Sequence, residues 1–395
     1  MRSNQQSSQN VGGLDQGILL SVLFLIGVGL VQVYSSSFIY AIDTFKNGHH
    51  FFFRQLAFSG IGILSLLFVA KLKWKYSKWL GLVIFLIAVA GLVATFMPSL
   101  TISAGGARRW VRLPLGQRFE PGEFFKLSFP LLLGAILATK QIERIGRFDH
   151  LRWLSVLVPF ALLLKQPDFG TVALLTITTV SVLFVFGMSW RYLFGFAAAA
   201  VPAFYVLVIQ VPYRWARVQG FLDPWSDPSE KGFQIIQSLL SFHSGGVFGA
   251  GLGQGLGKLF FLPEAHTDFT LAVLGEEVGL VGFLVILFIY GFLVFRGFQI
   301  ASKVRGDFER VVALGFVLIF GFQVFINMGV VLGLLPTKGI TLPFLSYGGS
   351  SLVATCIGFG WLLNIERTFA RSKAQSKLTA KEKAMISSHY WNARS

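Results

Sequence analysis

The stretch "LPEAHTDFTLAVLGEEVGLVG" places Asp268 at the edge of an apolar run and sets Glu276 and Glu277 two helical turns inside it. Carboxylates at such a depth in hydrocarbon are costly unless they have a partner or a task. On a helix, positions 268, 272 and 276 share a face, so Glu276 would lie about 12 Å beyond Asp268 at 1.5 Å per residue. A carboxylate at a membrane surface can take the proton of a hydroxyl as that hydroxyl attacks a carbon carrying a diphosphate leaving group. General-base help of this kind is worth roughly 10²–10⁴-fold. A structural reading competes: Thr267 or Asp268 is a good helix N-cap. Capping leaves Glu276 and Glu277 unexplained.

The partners such a base would need are cationic, and three further places in the sequence bear on them, two through charged side chains and one through glycine-rich backbone. In "GGARRWVRLPLGQRFEPGEFFKL", Arg108, Arg109, Arg112 and Arg118 precede a span that opens with Glu123 and Lys126. Those last two share a helix face and could be an ordinary i, i+3 ion pair. Four arginines on one connection suit an anionic ligand such as a phosphate. In "LLLKQPDFGT", Pro167 and Gly170 separate two apolar runs, while Lys165 and Asp168 offer a charge pair that turn chemistry alone could also explain. The run "SGGVFGAGLGQGLGK" is rich in glycine, yet neither the dinucleotide fingerprint nor the phosphate-loop pattern fits its register, which argues against nucleotide use. It reads as backbone able to approach a ligand closely, or as a mobile loop. Charge growing on a diphosphate would be stabilised by cationic side chains or by a divalent cation, Mg or Mn, the one candidate cofactor.

The elements that must position these groups are membrane helices. The chain has 395 residues, 54% hydrophobic and only 13% charged, with 42 phenylalanines, a composition that excludes a soluble domain. Ten apolar segments of about the length needed to span hydrocarbon lie near 17–37, 52–70, 79–98, 122–139, 151–164, 169–187, 192–211, 268–295, 311–334 and 349–365. The net charge of +16 reflects the positive-inside rule rather than a nucleic-acid partner. Basic residues concentrate on alternate connections: Arg2, "KLKWKYSK", 140–152, Arg191, 296–310, and the tail from Arg367. This count puts both termini in the cytoplasm and the long segment at about 212–267 outside. The expected architecture is an all-α polytopic membrane protein with a large extracytoplasmic loop between spans 7 and 8. Its divisions are a tail at 1–16, one membrane domain at 17–365, and a basic cytoplasmic tail at 366–395, expected to be irregular and held to anionic lipid. Within the loop, "FQIIQSLLSF" reads as an amphipathic helix on the bilayer surface. Cys356 is alone and supports neither a disulfide framework nor a thiolate metal site. The first span, with no cleavage site after it, serves as the targeting signal.

Several long motifs, in order, resemble the SEDS family, the shape, elongation, division and sporulation proteins. They are "GARRW", "QPDFGT", "LPEAHTDFTLAVLGEEVGLVG" and "TKGITLPFLSYGGSS". The resemblance covers nearly the whole chain, and "FQIIQSLLSFHSGG", "GLGQ" and "PEAHTDF" lie nearer the division branch than the elongation branch. It implies a ten-span peptidoglycan glycosyltransferase that polymerises lipid II at the outer face of the bacterial cytoplasmic membrane during septal synthesis. The family's essential aspartate falls on Asp268, its arginine-tryptophan pair on Arg109 and Trp110, and the glutamate and lysine of its fourth span on Glu123 and Lys126. His266, Glu276 and Lys338 complete the substrate-binding candidates; the turn bearing Lys338 shapes the cavity wall or is simply a tight hairpin. Two departures stand out: "EPGE" has Glu120 where the family usually has glutamine, and "DFTLA" replaces "DFIFA". The implied partners are a class B penicillin-binding protein (a transpeptidase), other division-machinery membrane proteins, and membrane lipid.

Competing functions are an elongation or sporulation polymerase of the same family, a lipid II flippase, and a noncatalytic division scaffold. A flippase needs a polar route through the whole bilayer, whereas the candidate polar residues here cluster at one face and stop at Glu276 and Glu277. A scaffold would have no use for Asp268.

Overall fold

The computed structural model describes residues 13–104, 107–138, 149–257 and 265–392. Each of the ten apolar segments is helical. In chain order the helices are α1 (Gln16–Phe45), α2 (His50–Lys71), α3 (Trp74–Ala94), α4 (Pro121–Leu137), α5 (Asp149–Lys165), α6 (Phe169–Val185), α7 (Trp190–Phe204), α8 (Pro212–Leu222), α9 (Phe233–Gly245), α10 (Thr270–Lys303), α11 (Asp307–Val331) and α12 (Gly349–Asn392). Among the described residues, six helices are long and apolar enough to cross a membrane, and two further apolar helices are shorter. The protein is a multi-pass membrane protein.

Local signals set the helix starts. Asp15 accepts the Ile18 amide at 3.1 Å and caps α1. Pro121 opens α4, where its missing N–H costs nothing. At the centre stands α11, buried along most of its length and packed on α4, α6, α10 and α12, as an all-round apolar helix must be. By contrast α7 buries none of its residues.

Four expectations are corrected. The fold is not purely helical: β1 (Thr101–Ala104), β2 (Ala107–Arg112) and β3 (Arg118–Phe119) form an antiparallel sheet with Ile102 opposite Trp110 and Val111 opposite Phe119. Its β-branched and aromatic residues favour a pleated surface, and the connection between α3 and α4 has no apolar stripe with which to fold as a helix. Next, α9 does not lie flat on a surface. It runs down alongside α10 and α11: Ser238 Oγ donates to the Val331 carbonyl at 2.6 Å, Phe242 meets Phe283 edge-on at 5.5 Å, and Gly245 closes on Gly275. Third, the basic tail is helical rather than irregular, since α12 continues to Asn392 through a stretch without glycine or proline and rich in the good helix formers Lys and Ala.

Finally, α10 starts at Thr270 rather than Asp268, and it breaks at Gly279, whose φ of 67° is left-handed. The break explains the glycine-rich run. Ala250 and Gly251 amides donate to the Glu276 and Glu277 carbonyls at 2.9 and 3.0 Å, and Leu280 and Val281 amides donate to Gly246 and Val247 carbonyls at 3.0 and 3.1 Å. Backbone groups freed by the break are thus paired by a second segment of backbone, which hydrocarbon demands. A Cβ on Gly249 would stand 2.2 Å from the Glu277 carbonyl oxygen, so only glycine permits this approach. The glycines serve the chain's own broken helix.

Candidate functional site

The site forms at the end of the bundle where α4, α6, α10 and α12 begin and α11 ends. Asp268 sits in the turn before α10, half-buried. No side chain caps that helix, and its N-cap position is Phe269, so capping does not account for Asp268. The aspartate's main-chain oxygen is held by Asn327 Nδ2 at 3.0 Å.

Arg109 arrives from β2. Strand alternation places Arg109 on the same face as buried Val111, with Arg108, Trp110 and Arg112 on the other. Arg108 and Arg112 are exposed, as is Arg118. Of the four arginines, then, Arg109 is the one that β2 directs inward. Its Nη2 donates to the Pro167 carbonyl at 3.0 Å and lies 3.6 Å from Asp168 Oδ1. Trp110 does not join it, because alternation sends it to the opposite face.

Gly339 brings these groups into one frame. A Cβ placed there would lie 3.1 Å from Asp268 Oδ2 and 3.9 Å from Arg109 Nη1. The aspartate and the arginine therefore flank the same small space, which the lack of a side chain keeps open. Next to it, the Lys338 ammonium lies 5.1 Å from the Phe169 ring centroid, and the Arg214 guanidinium faces the same ring at 5.3 Å. Arg217 donates to the Thr337 carbonyl at 3.3 Å. Burial pushes the Lys338 ammonium down to about 8; Asp168 opposes this shift, and Arg109, Arg214 and Arg217 add to it. Four cations outnumber the two carboxylates, Asp168 and Asp268, around one open space and form a receptor for a polyanion.

Asp168 has two structural partners. It caps α6, accepting the Thr171 amide at 3.4 Å, and it pairs with Arg109. Lys165 is not its partner; that ammonium stacks over Phe96 at 5.4 Å. Below the site, Glu123 and Lys126 form the i, i+3 ion pair that their spacing allows, 2.7 Å long and nearly enclosed. Lys126 also reaches Gln323 Oε1 at 3.4 Å, and Gln323 Nε2 donates to the Thr341 carbonyl at 2.9 Å. The pair thus connects through Gln323 to the 332–348 loop, which carries Lys338 and Gly339.

Glu120, which stands where the family favours glutamine, sits at the N-cap of α4 with its amide donated to Ser350 Oγ at 3.1 Å. Burial, followed by the Glu123 carboxylate, pushes its carboxyl up to about 8. A carboxyl raised in this way holds its proton to higher pH than an ordinary glutamate, and in that form it can donate as well as accept, as a glutamine amide does. The departure in "EPGE" preserves hydrogen-bonding character.

Two predicted site residues have other surroundings. Glu276 faces the glycine-rich segment: Oε1 accepts the Leu256 amide at 2.7 Å and Ser244 Oγ at 3.3 Å, and Oε2 accepts the Gly257 amide at 3.0 Å. Glu277 accepts from Ser35 of α1. Glu276 holds the broken helix to its pairing segment, and Glu277 ties it to α1. His266 stacks on Tyr40 at 5.3 Å and leans on Phe51 at 5.1 Å, while its carbonyl accepts the Tyr347 amide at 2.9 Å. It ties the Asp268 turn to the end of the 332–348 loop.

Asp168, Arg214, Arg217, Gln323, Asn327 and Gly339 complete the site; the sequence had marked Asp168 only as half of a charge pair with Lys165 and had not singled out the other five. Signals existed for some. Arg214 and Arg217 are basic residues on the connection expected to be poor in them, and Gln323 and Asn327 are polar residues one turn apart within an apolar span. Nothing local marks Gly339. Among the described residues, no three His, Cys, Asp or Glu side chains group so as to hold a metal ion. The set around Asp268 is instead cationic, so the residues present do not fit a protein-held divalent ion.

Comparison with known proteins identifies the family. The chain is 40% identical over 356 residues to the probable peptidoglycan glycosyltransferase FtsW of Geobacter metallireducens, covering 89% of this chain and 94% of that protein. It is 37% identical to stage V sporulation protein E of Bacillus subtilis, covering 89% and 96%. Among solved structures, a chain of a peptidoglycan synthase complex that coordinates polymerization and crosslinking superposes with a TM-score of 0.72 at 32% identity, over 90% of this chain and 98% of that one. The rod shape determining protein RodA of Thermus thermophilus gives 0.64 at 28% identity, over 90% and 97%. The sequence pattern of the FtsW, RodA and SpoVE cell cycle proteins matches residues 16–371. A match over most of the chain, with relatives aligned nearly end to end, places the protein in the FtsW/RodA/SpoVE family, the SEDS proteins.

Proposed function

We propose that the protein is a peptidoglycan glycosyltransferase of the division type, which polymerises lipid II into glycan strands. One observation carries the reading: Asp268 Oδ2 and Arg109 Nη1 border the same open point above Gly339, at 3.1 and 3.9 Å. A base and a cation so placed serve the two ends of a glycosyl transfer. The acceptor sugar hydroxyl gives its proton to Asp268 as its oxygen bonds to the anomeric carbon of the donor. The bond from that carbon to the diphosphate-lipid breaks, and the leaving group departs with the electron pair. Arg109 and Lys338, backed by Arg214 and Arg217, neutralise the charge that develops on it. The base supplies about 10²–10⁴-fold, and each well-placed cation or donor about 10²–10³-fold. Every step uses side chains of the chain, and none is routed through a metal ion.

In this reading ten helices cross the cytoplasmic membrane at residues 17–365, with the tails at 1–16 and 366–395 inside and the site outside. The basic residues on alternate connections support that orientation, and the cationic cluster then faces the compartment where glycan is built. A class B penicillin-binding protein is the partner that would crosslink the product, and the division septum is its setting. The likeness to a synthase complex and to proteins named FtsW supports both.

The test is polymerisation by purified protein supplied with lipid II, alone and with its transpeptidase made transferase-silent. Native protein is expected to give glycan chains and Asp268→Asn almost none. Normal polymer from Asp268→Asn would remove the base assignment. No polymer from native protein, with lipid II still translocated across vesicles, would favour a flippase. Mapping of residue 268 to the cytoplasmic side would overturn the orientation.

A further inference from the structure

The link between Asp268 and the loop that bears Lys338 and Gly339 runs through one side chain. Asn327 lies on α11, 2% exposed, one turn beyond Gln323. Its amide nitrogen donates to two main-chain oxygens, Ile340 at 2.7 Å and Asp268 at 3.0 Å. An amide nitrogen has two hydrogens, so both are used. The orientation is dictated by these acceptors, since the reverse would set Oδ1 against two carbonyls. Oδ1 itself has no hydrogen-bond partner, and leaving such an atom buried costs stability. A side chain chosen only to fill the core would be apolar here.

We infer that Asn327 is a positioning residue: it sets the distance between the Asp268 carboxylate and the Lys338–Gly339 turn, and so the gap in which the transferred sugar carbon must sit. This inference rests on the proposed glycosyl transfer. Gln323 forms a second rung, bonding Thr341 from the same face of α11. Neighbouring ties act elsewhere: Arg217 holds Thr337, and His266 holds Tyr347. Within this set, Asn327 bonds the base-bearing turn and the lysine-bearing turn at once. Without it each could move independently, and misplacement by about 1 Å costs roughly 10²-fold in rate.

Polymerisation of lipid II by native protein, Asp268→Asn, Asn327→Leu, Asn327→Ser and the double variant Asp268→Asn/Asn327→Leu tests this, with thermal melting of each. Asn327→Leu should lower kcat about 10–100-fold with KM for lipid II changed less than threefold. Asn327→Ser, which keeps one donor, should fall between Asn327→Leu and native protein. In the Asp268→Asn background, Asn327→Leu should cost little more, because there is no base left to position. If Asp268→Asn is inactive while both Asn327 variants keep native kcat, the positioning role is wrong. Equal fold losses from Asn327→Leu in both backgrounds would also overturn it, as would a loss in kcat that tracks a lowered melting temperature across Asn327→Ser and Asn327→Leu. If Asp268→Asn polymerises normally, it is the base assignment that fails.

Discussion

Replacing Gly339 by alanine should slow the reaction without weakening the fold. The added methyl would stand 3.1 Å from Asp268 Oδ2, where ordinary contact begins at 3.4 Å, and 3.9 Å from Arg109 Nη1, which is comfortable. The strain therefore falls on the aspartate, which must retreat by about 0.3–0.5 Å. With about 10²-fold lost per ångström of misplacement, kcat should drop roughly 4- to 10-fold. Stability should move the other way. Gly339 is exposed and is not left-handed, so alanine restricts the unfolded chain at no conformational cost and adds about 0.4–1 kcal/mol. Gly339→Val, which fills the gap, should lose more than Gly339→Ala in kcat and also raise KM. The assay is glycan synthesis from lipid II over a range of concentrations, paired with thermal melting in detergent. Native kcat in both variants would show that the space between Asp268 and Arg109 is not where the chemistry occurs.

Two other predictions concern ionised groups. Lys338, with its pKa lowered to about 8, should be charged at neutral pH and lose its proton as the pH rises through that value, so kcat/KM for lipid II should fall on the alkaline side. Glu120 titrates in the same range; the limb should persist in Glu120→Gln and disappear in Lys338→Arg, and its persistence in Lys338→Arg would refute the assignment. The effect on folding has the opposite sign: the folded state releases this proton more readily than the unfolded chain, so stability rises with pH between about 8 and the ordinary lysine value of about 10.4. Separately, Glu276→Gln leaves one acceptor oxygen where there were two, so either the Leu256 or the Gly257 N–H loses its partner, and a part-buried donor left unmet costs up to about 1–3 kcal/mol. Faster hydrogen exchange across residues 249–257 and a lower melting temperature should report it, with kcat falling far less than in Asp268→Asn; unchanged exchange would mean that Glu276 does not hold that segment.

Much was legible in the sequence because hydrophobic length and helix signals are local. The ten apolar runs are helices, and the residue types able to do chemistry could be named from their cost in an apolar setting. Asp268 was among them; Arg109 was marked by its place on an arginine-rich connection and Lys338 by the family resemblance, and the structure brings these three together. Glu276 was singled out by the same argument of cost, yet its answer lay in an element far along the chain, a glycine-rich segment whose amides it accepts. Glu123 and Lys126 form the pair that their spacing allowed, but only packing shows that the pair reaches the site through Gln323.

By itself, the sequence determined that the chain lives in a membrane, where its helices lie, and which family its motifs resemble. All of these depend on composition and on residues close together. Tertiary structure alone decided that Arg109, Asp168, Asp268 and Lys338 meet, that Trp110 faces away, and that Asn327 bridges two turns. Those facts depend on strand alternation, on a helix broken at Gly279, and on the docking of α11 against α4, α6, α10 and α12. No short stretch of residues encodes such contacts, because each is set by the balance of packing and buried hydrogen bonds over the whole bundle.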